Sequence, residues 1–369
     1  MRSNVILKRA TLFFLLFCIN LPSVAQTIDD ILKKPQLKVL DIGNSYTNDA
    51  TAMLKLLTQT NQMDVSDVCL YKATRGSGSF KSWYNLYYDN DNHTYNISKV
   101  LGGINANIST GTGEPNDGTL FREALTNEKW DIIIIHQVSN YAPYYEQWQG
   151  NGKGGYLNEL LSLIKDHQPQ AKIGFLLVHS YWDNYSGNKE KSSLLRWQLI
   201  ANSVKSLCEE YPIDIVIPYG TAIENLRSSS LNNEYDLTLD GSHCGTGLAR
   251  YTAACCYYES LLAPRSGMTV LGNTARYDAS NVESTYPAVS VTDDNALIAQ
   301  TAAVLATKNY YECVNPEEVA TSIHSMDVST ISSFDYSSLY NIEGNRIKTY
   351  QHGINIVKLK NGKTIKIIK

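Results

Sequence analysis

Strong charge of either sign is missing from this 369-residue chain, which has a formal net charge of −4 and a pI near 6.0. No basic footprint therefore argues for nucleic acid or an anionic membrane surface as partner. Past residue 25 no apolar run approaches the roughly 18 residues that a membrane span requires. Internal repeats and low-complexity tracts are also missing. Cysteine is sparse, and the six beyond the first 25 residues (Cys69, Cys208, Cys244, Cys255, Cys256 and Cys313) form neither a disulfide framework nor a zinc spacing. No metal or other cofactor is implied. Cys255 and Cys256 read as packed thiols within a helix, and Cys244 draws notice only because it follows His243. The aromatic tenth of the chain is mostly tyrosine, 25 residues against seven Phe, a composition that suits a sugar-binding surface and ordinary packing alike.

What is present begins with a targeting segment. Arg2, Lys8 and Arg9 form a positive n-region, Ala10 to Leu21 an apolar h-region and Ser23-Val24-Ala25 a small-residue cleavage site. The mature chain is expected to start at Gln26 and to be exported to the periplasm, cell surface or medium. Phe17 before Cys18 departs from the small residue of a lipobox, which favours a freely exported protein over a lipoprotein. The length allows one large α/β core and a small accessory unit.

The central stretch is Leu37 to Ala50, LKVLDIGNSYTNDA. Leu37, Val39, Leu40 and Ile42 read as a buried strand, Gly43 breaks it, and helix-compatible residues run from about Asn48 to Gln62. Ser45 therefore stands at a strand-to-helix turn, beside free backbone N–H groups and a positive dipole end. Such a turn suits a nucleophile, a helix cap or a phosphate cradle. A second stretch, DGSHCGTGLARYTAACCYYESLL from Asp240, places Asp240 and His243 three residues apart before a long amphipathic helix. That spacing lets a carboxylate hold one imidazole nitrogen while the other faces a serine. His179, with Asp183 nearby, is the rival base.

An early strand-GNS turn followed by a late D-x-x-H before a helix resembles the SGNH/GDSL hydrolase superfamily, and most closely a poorly characterised bacterial branch whose first block reads GNS(F/Y)T. The resemblance implies a Ser45–His243–Asp240 triad. It implies an oxyanion hole made by the Ser45 N–H, a glycine N–H from the KATRGSGSFKSW loop (Gly76 or Gly78), and a side-chain amide after the third block. Here the family's GxND string is absent; Gln137 follows the strand and Asn140 is the alternative. Asn44 and Tyr46 beside the serine, with Tyr181 and Trp182 past a later strand, are candidate substrate-binding residues. His136 reads as a core residue or as one that supports a site residue from behind.

The rest of the chain alternates strand and helix: a strand at Val65 to Leu70, a helix at Leu120 to Lys129, a central strand at Ile132 to Ile135, a helix at Tyr156 to His167, a strand at Lys172 to Val178, a helix at Ser192 to Tyr211, a strand at Asp214 to Pro218, and helices at Thr221 to Arg227 and Asp294 to Thr307. This pattern predicts a parallel sheet with helices on both faces, a three-layer α/β/α fold of the flavodoxin-like SGNH type. Ligand then belongs outside the carboxyl ends of the strands. Tyr84 to Gly118 reads as a long polar insertion over the site face. The hydrolase-like domain is expected over 26–312, followed by a linker and a β-module over 313–369, with turns at Glu343-Gly344-Asn345 and Asn361-Gly362. The last 31 or so residues resemble C-terminal β-modules of exported bacterial enzymes. The resulting expectation is a secreted serine esterase acting on O-acylated carbohydrate or another small ester. An SGNH-fold glycan-binding protein without turnover and a lipid esterase are the alternatives.

Overall fold

The computed structural model describes residues 26–89, 95–108, 120–320, 336–342, 344–359 and 364–368. The leader at 1–25, the Asn361-Gly362 turn and parts of the 84–118 insertion lie outside them.

Ten strands occur among the described residues: β1 (Leu37–Gly43), β2 (Val68–Thr74), β3 (Asn96–Leu101), β4 (Ile132–Ile135), β5 (Lys172–Leu176), β6 (Ile215–Ile217), β7 (Tyr336–Asn341), β8 (Arg346–Ile347), β9 (Ile354–Leu359) and β10 (Thr364–Ile368). The first six form one sheet in the order β3-β2-β1-β4-β5-β6. All its neighbours pair in parallel except β3, which runs antiparallel to β2 at one edge. The four isoleucines of β4 are fully buried, as a strand covered on both faces requires. The chain steps from β1 outward to β2 and returns to the other side of β1 at β4. The ends of β1 and β4 therefore flank the switch point where α/β sheets open a crevice.

The described helices are α1 (Ile28–Leu32), α2 (Ser45–Thr51), α3 (Leu54–Thr60), α4 (Phe80–Tyr88), α5 (Phe121–Thr126), α6 (Leu157–His167), α7 (Ser193–Glu210), α8 (Tyr219–Arg227), α9 (Leu248–Leu261), α10 (Ala263–Ser266), α11 (Asp293–Lys308) and α12 (Pro316–Ala320). The three-layer α/β/α architecture is the expected one. Three local expectations are corrected. The nucleophile helix starts at Ser45, because the Asn44 side chain accepts the Tyr46 N–H as a cap, and it is interrupted at Ala52 and Met53. Helix α9 is buried over most of its surface and not amphipathic: α11, in which Ala296, Ala299, Ala302 and Ala303 are buried, packs against it. The 84–118 segment is partly regular, contributing the end of α4 and the edge strand β3. Gly103 and Ile104 hydrogen-bond to Val65 and Val68 at the end of the sheet away from Ser45, whereas Asn96 at the start of β3 pairs with Thr74 at the Ser45 end.

Helix α12 packs on α11, which carries the α/β body beyond residue 312. Strands β7 to β10 form a separate antiparallel sheet in the order β10-β9-β7-β8. No described helix is long and apolar enough to cross a membrane.

Candidate active site

Ser45 is the first residue of α2, just past the end of β1. Its Oγ lies 2.9 Å from His243 Nε2, and His243 Nδ1 lies 2.7 Å from Asp240 Oδ2. Asp240 accepting at Nδ1 requires the Nδ1–H tautomer, which leaves the Nε2 lone pair facing the serine hydroxyl. The structure thus joins the three residues, 198 positions apart at their extremes, in one hydrogen-bonded line.

The loop that carries Asp240 and His243 is built by local bonds. Leu239 N–H donates to His243 O at 2.8 Å, and Gly241 adopts φ +91°, a left-handed turn that glycine takes without strain. Asp240 Oδ1 accepts the N–H groups of Ser242 and His243, both at 2.9 Å. Partial burial alone would raise the Asp240 carboxyl; these bonds and the imidazole outweigh it and bring it down to about 2. Asp240 is therefore an anion at neutral pH, as an orienter of imidazole needs to be.

Three further groups hold this loop against the serine. Asp49, one turn after Ser45 on α2, accepts the Cys244 N–H at 3.0 Å and the Arg250 guanidinium at 2.9 Å. Tyr46 Oη donates to Ser242 O at 2.6 Å, and His179 Nε2 donates to the same carbonyl at 2.9 Å. None of these ties was expected from sequence, although the i, i+4 relation of Asp49 to Ser45 puts both on one helix face. His179 is no rival base. It is buried, its Nδ1 is 3.0 Å from Tyr219 Oη, and burial pushes its pKa well below the usual value. Asp183 does not reach it, because its carboxylate takes the N–H of Ser193 at the start of α7. Cys244 is buried too, with its thiol pushed well up by desolvation, so it is not a reactive thiol.

A buried polar cluster underlies the turn. His136 Nε2 is 3.3 Å from Asn44 N and 3.0 Å from Thr47 Oγ1, and Thr47 Oγ1 is 3.1 Å from Asp41 Oδ1. A Cβ on Gly43 would stand 2.1 Å from His136 Nε2, so only glycine lets the imidazole approach the backbone here. His136 is a core residue, as expected.

The candidate oxyanion donors divide. Gly78 N–H is engaged by Arg75 O at 3.0 Å, whereas the N–H groups of Ser45 and Gly76 have no partner among the described residues. Gly78 is therefore set aside and Gly76 stands. Gln137 is corrected as well: it is buried, its Nε2 donates to Gly154 O at 2.8 Å, and its Oε1 accepts Val138 N–H at 2.9 Å. Asn140 is exposed, and its Oδ1 accepts from Tyr181 Oη at 2.9 Å, leaving the Nδ2 hydrogens available.

Of the candidate substrate-binding residues, Asn44, Tyr46 and Tyr181 are buried scaffolding. Asn44 caps α2 and donates to Gly78 O, Tyr46 packs on His179 at 4.4 Å, and Tyr181 lies under the Arg196 guanidinium at 4.1 Å. Trp182 alone stays partly exposed. Beside it stand two residues that sequence reasoning passed over, Tyr235 and Tyr286, stacked at 4.4 Å and 6°. Trp182 N–H is bound to Gly241 O and Tyr286 N–H to Leu239 O, which fixes both rings next to Asp240.

Among the described residues no group of three His, Cys, Asp or Glu side chains is placed to hold a metal, and all six cysteines there are free thiols. The serine block after β1 and the D-x-x-H block before α9 thus meet at one end of the sheet. Residues 38–295 match the family described as "Domain of unknown function (DUF4886)". The chain belongs to the DUF4886 family. A crystal structure of a DUF4886 family protein from Bacteroides uniformis superposes with a TM-score of 0.59 at 24% identity, covering 77% of this chain and 99% of that one. An acetyl xylan esterase aligns at TM-score 0.38 and 14% identity, over 61% of this chain and all of that one (100%). A GDSL-like lipase from Bacteroides thetaiotaomicron aligns at 0.33 and 10%, over 61% and 87%. None of the curated proteins matches the chain.

Proposed function

We propose that this DUF4886 protein is an exported serine esterase that removes short acyl groups, O-acetyl above all, from carbohydrate. The observation that carries the reading is the Ser45–His243–Asp240 line at 2.9 and 2.7 Å, set at the switch point of the sheet. His243 Nε2 takes the Ser45 proton as Oγ attacks the ester carbonyl, and the imidazolium is held by the Asp240 carboxylate. The oxyanion meets the N–H groups of Ser45 and Gly76 and the amide of Asn140. Collapse expels the alcohol, which takes its proton from His243. Water, deprotonated by the same base, then releases the acid and restores Ser45.

The carbohydrate part of the reading is supported by the partly exposed rings of Trp182, Tyr235 and Tyr286 on the Asp240 side. That is the His243 side, from which the leaving alcohol takes its proton, and aromatic faces of this kind pack against sugar rings. Hydrolysis of 4-nitrophenyl acetate by the mature protein is expected to be lost in both Ser45→Ala and His243→Ala. Undiminished turnover in Ser45→Ala overturns the mechanism. Export predicts a mature chain beginning at Gln26, readable by mass spectrometry of the secreted product; a secreted chain retaining Met1 counts against it.

A further inference from the structure

The loop after Gly76 and the Asn140 turn line a cleft of about 360 Å³. Its wall includes Ser77, Ser79, Ser82, Asn140, Lys81 and Lys153, and no carboxylate. Lys81 is partly exposed. Its Nζ donates to Asn151 O at 2.7 Å and sits 5.0 Å from the Tyr156 ring centroid, which leaves two N–H donors for a ligand. Neither Lys81 nor Lys153 has an ion-pair partner among the described residues. Elsewhere Lys38, Lys172, Arg196, Arg227, Arg250 and Arg276 reach carboxylates, whereas other lysines, Lys55 and Lys205 among them, have no ion pair among the described residues either. The nine-residue helix α4 also begins here, adding the positive end of its dipole. In a chain of net charge −4 this cleft is a local concentration of unmatched positive charge.

We propose that this cleft is a carboxylate subsite, so that the esters processed at Ser45 carry a negative charge. The inference rests on the esterase reading above. Asn140 belongs both to the cleft and to the candidate oxyanion hole, which connects the cleft to the reacting carbonyl. The carboxylate can belong to the acyl group, as in a half-ester of a dicarboxylic acid, or to the alcohol, as in an acylated uronic acid.

Two substrate pairs separate these sources. One compares 4-nitrophenyl hemisuccinate with 4-nitrophenyl butyrate; the other compares O-acetylated oligogalacturonate with the same oligosaccharide methyl-esterified. The ratio of kcat/KM within at least one pair is expected to favour the anion about tenfold, the scale of two partly exposed ion pairs. It should shrink towards one in a Lys81→Gln, Lys153→Gln double variant and in high salt. Equal kcat/KM within both pairs, alongside Ser45-dependent hydrolysis of 4-nitrophenyl acetate, overturns the subsite and leaves the esterase standing. If 4-nitrophenyl acetate is not hydrolysed, the esterase reading fails instead, and calorimetric titration with oligogalacturonate decides the cleft. Binding that the double variant weakens about tenfold supports it; no binding, or binding indifferent to the lysines, overturns it.

Discussion

Two side-chain amides stand within five residues of the end of β4, and the difference between them lies in what each already bonds. Gln137 spends its amide on Gly154 O and Val138 N–H inside the core, while Asn140 is held by Tyr181 at its oxygen only. Asn140→Ala is therefore expected to lower kcat for an aryl ester roughly 100- to 1,000-fold with little change in melting temperature. Gln137→Ala strands a buried carbonyl and a buried N–H and should cost about 1–3 kcal/mol of stability. Steady-state kinetics beside thermal melts reads both; the reverse pattern would assign the donor to Gln137. Composition and order offer no way to choose between two amides three residues apart, because the choice depends on Gly154, which reaches Gln137 only through the fold.

At the scale of elements, α2 carries the nucleophile and the 238–244 loop carries the base, and Asp49 joins them. Its carboxylate is almost wholly buried between Cys244 N–H and Arg250. Truncation to Ala leaves both donors unanswered and should cost about 1.5–3 kcal/mol, the range for hydrogen bonds involving a charged group. It should also lower kcat, since His243 is the next residue along from Cys244. Asp49→Asn, which keeps an acceptor, is expected to recover most of the activity; an Asp49→Ala enzyme with wild-type kcat would show that the tie does not position His243. The same scale explains the misread amphipathic helix. The polar-looking face of α9 is covered by α11, an element that follows it by more than 30 residues, and no periodicity within α9 can announce that cover.

For the molecule as a whole, the polar cluster under the serine turn links stability to pH. Burial raises the Asp41 carboxyl to about 7 and lowers the His136 imidazole to about 4. Between about pH 4 and 7 the folded chain keeps a proton on Asp41 that the unfolded chain releases, so this group's contribution to stability falls as pH rises through that window. His136 acts in the opposite sense. From about pH 4 to its ordinary value near 6.5 the unfolded chain binds the extra proton, so its contribution rises with pH. Replacing Asp41 by Asn deletes the first effect. The stability of Asp41→Asn relative to wild type is therefore expected to increase steadily from pH 4 to pH 7, by denaturant titration at fixed temperature. A difference independent of pH would mean that Asp41 is ionised in the folded chain throughout.

The sequence by itself determined the alternation of strands and helices, the position of Ser45 at a strand-to-helix turn and the Asp240–His243 pair. Each of these follows from local pattern: apolar runs, a glycine break and a three-residue spacing. Helix starts came within one to three residues, the largest miss being at α2, where the Asn44 cap lies inside the strand-to-helix turn. Tertiary structure decided which amide and which glycine N–H are free, that His179 is a buried support, and that Tyr46 and Tyr181 lie beneath the site while Tyr235 and Tyr286 flank it. Those outcomes depend on hydrogen-bond partners and burial contributed by residues distant in the chain, and a donor's availability is a property of its neighbours in space.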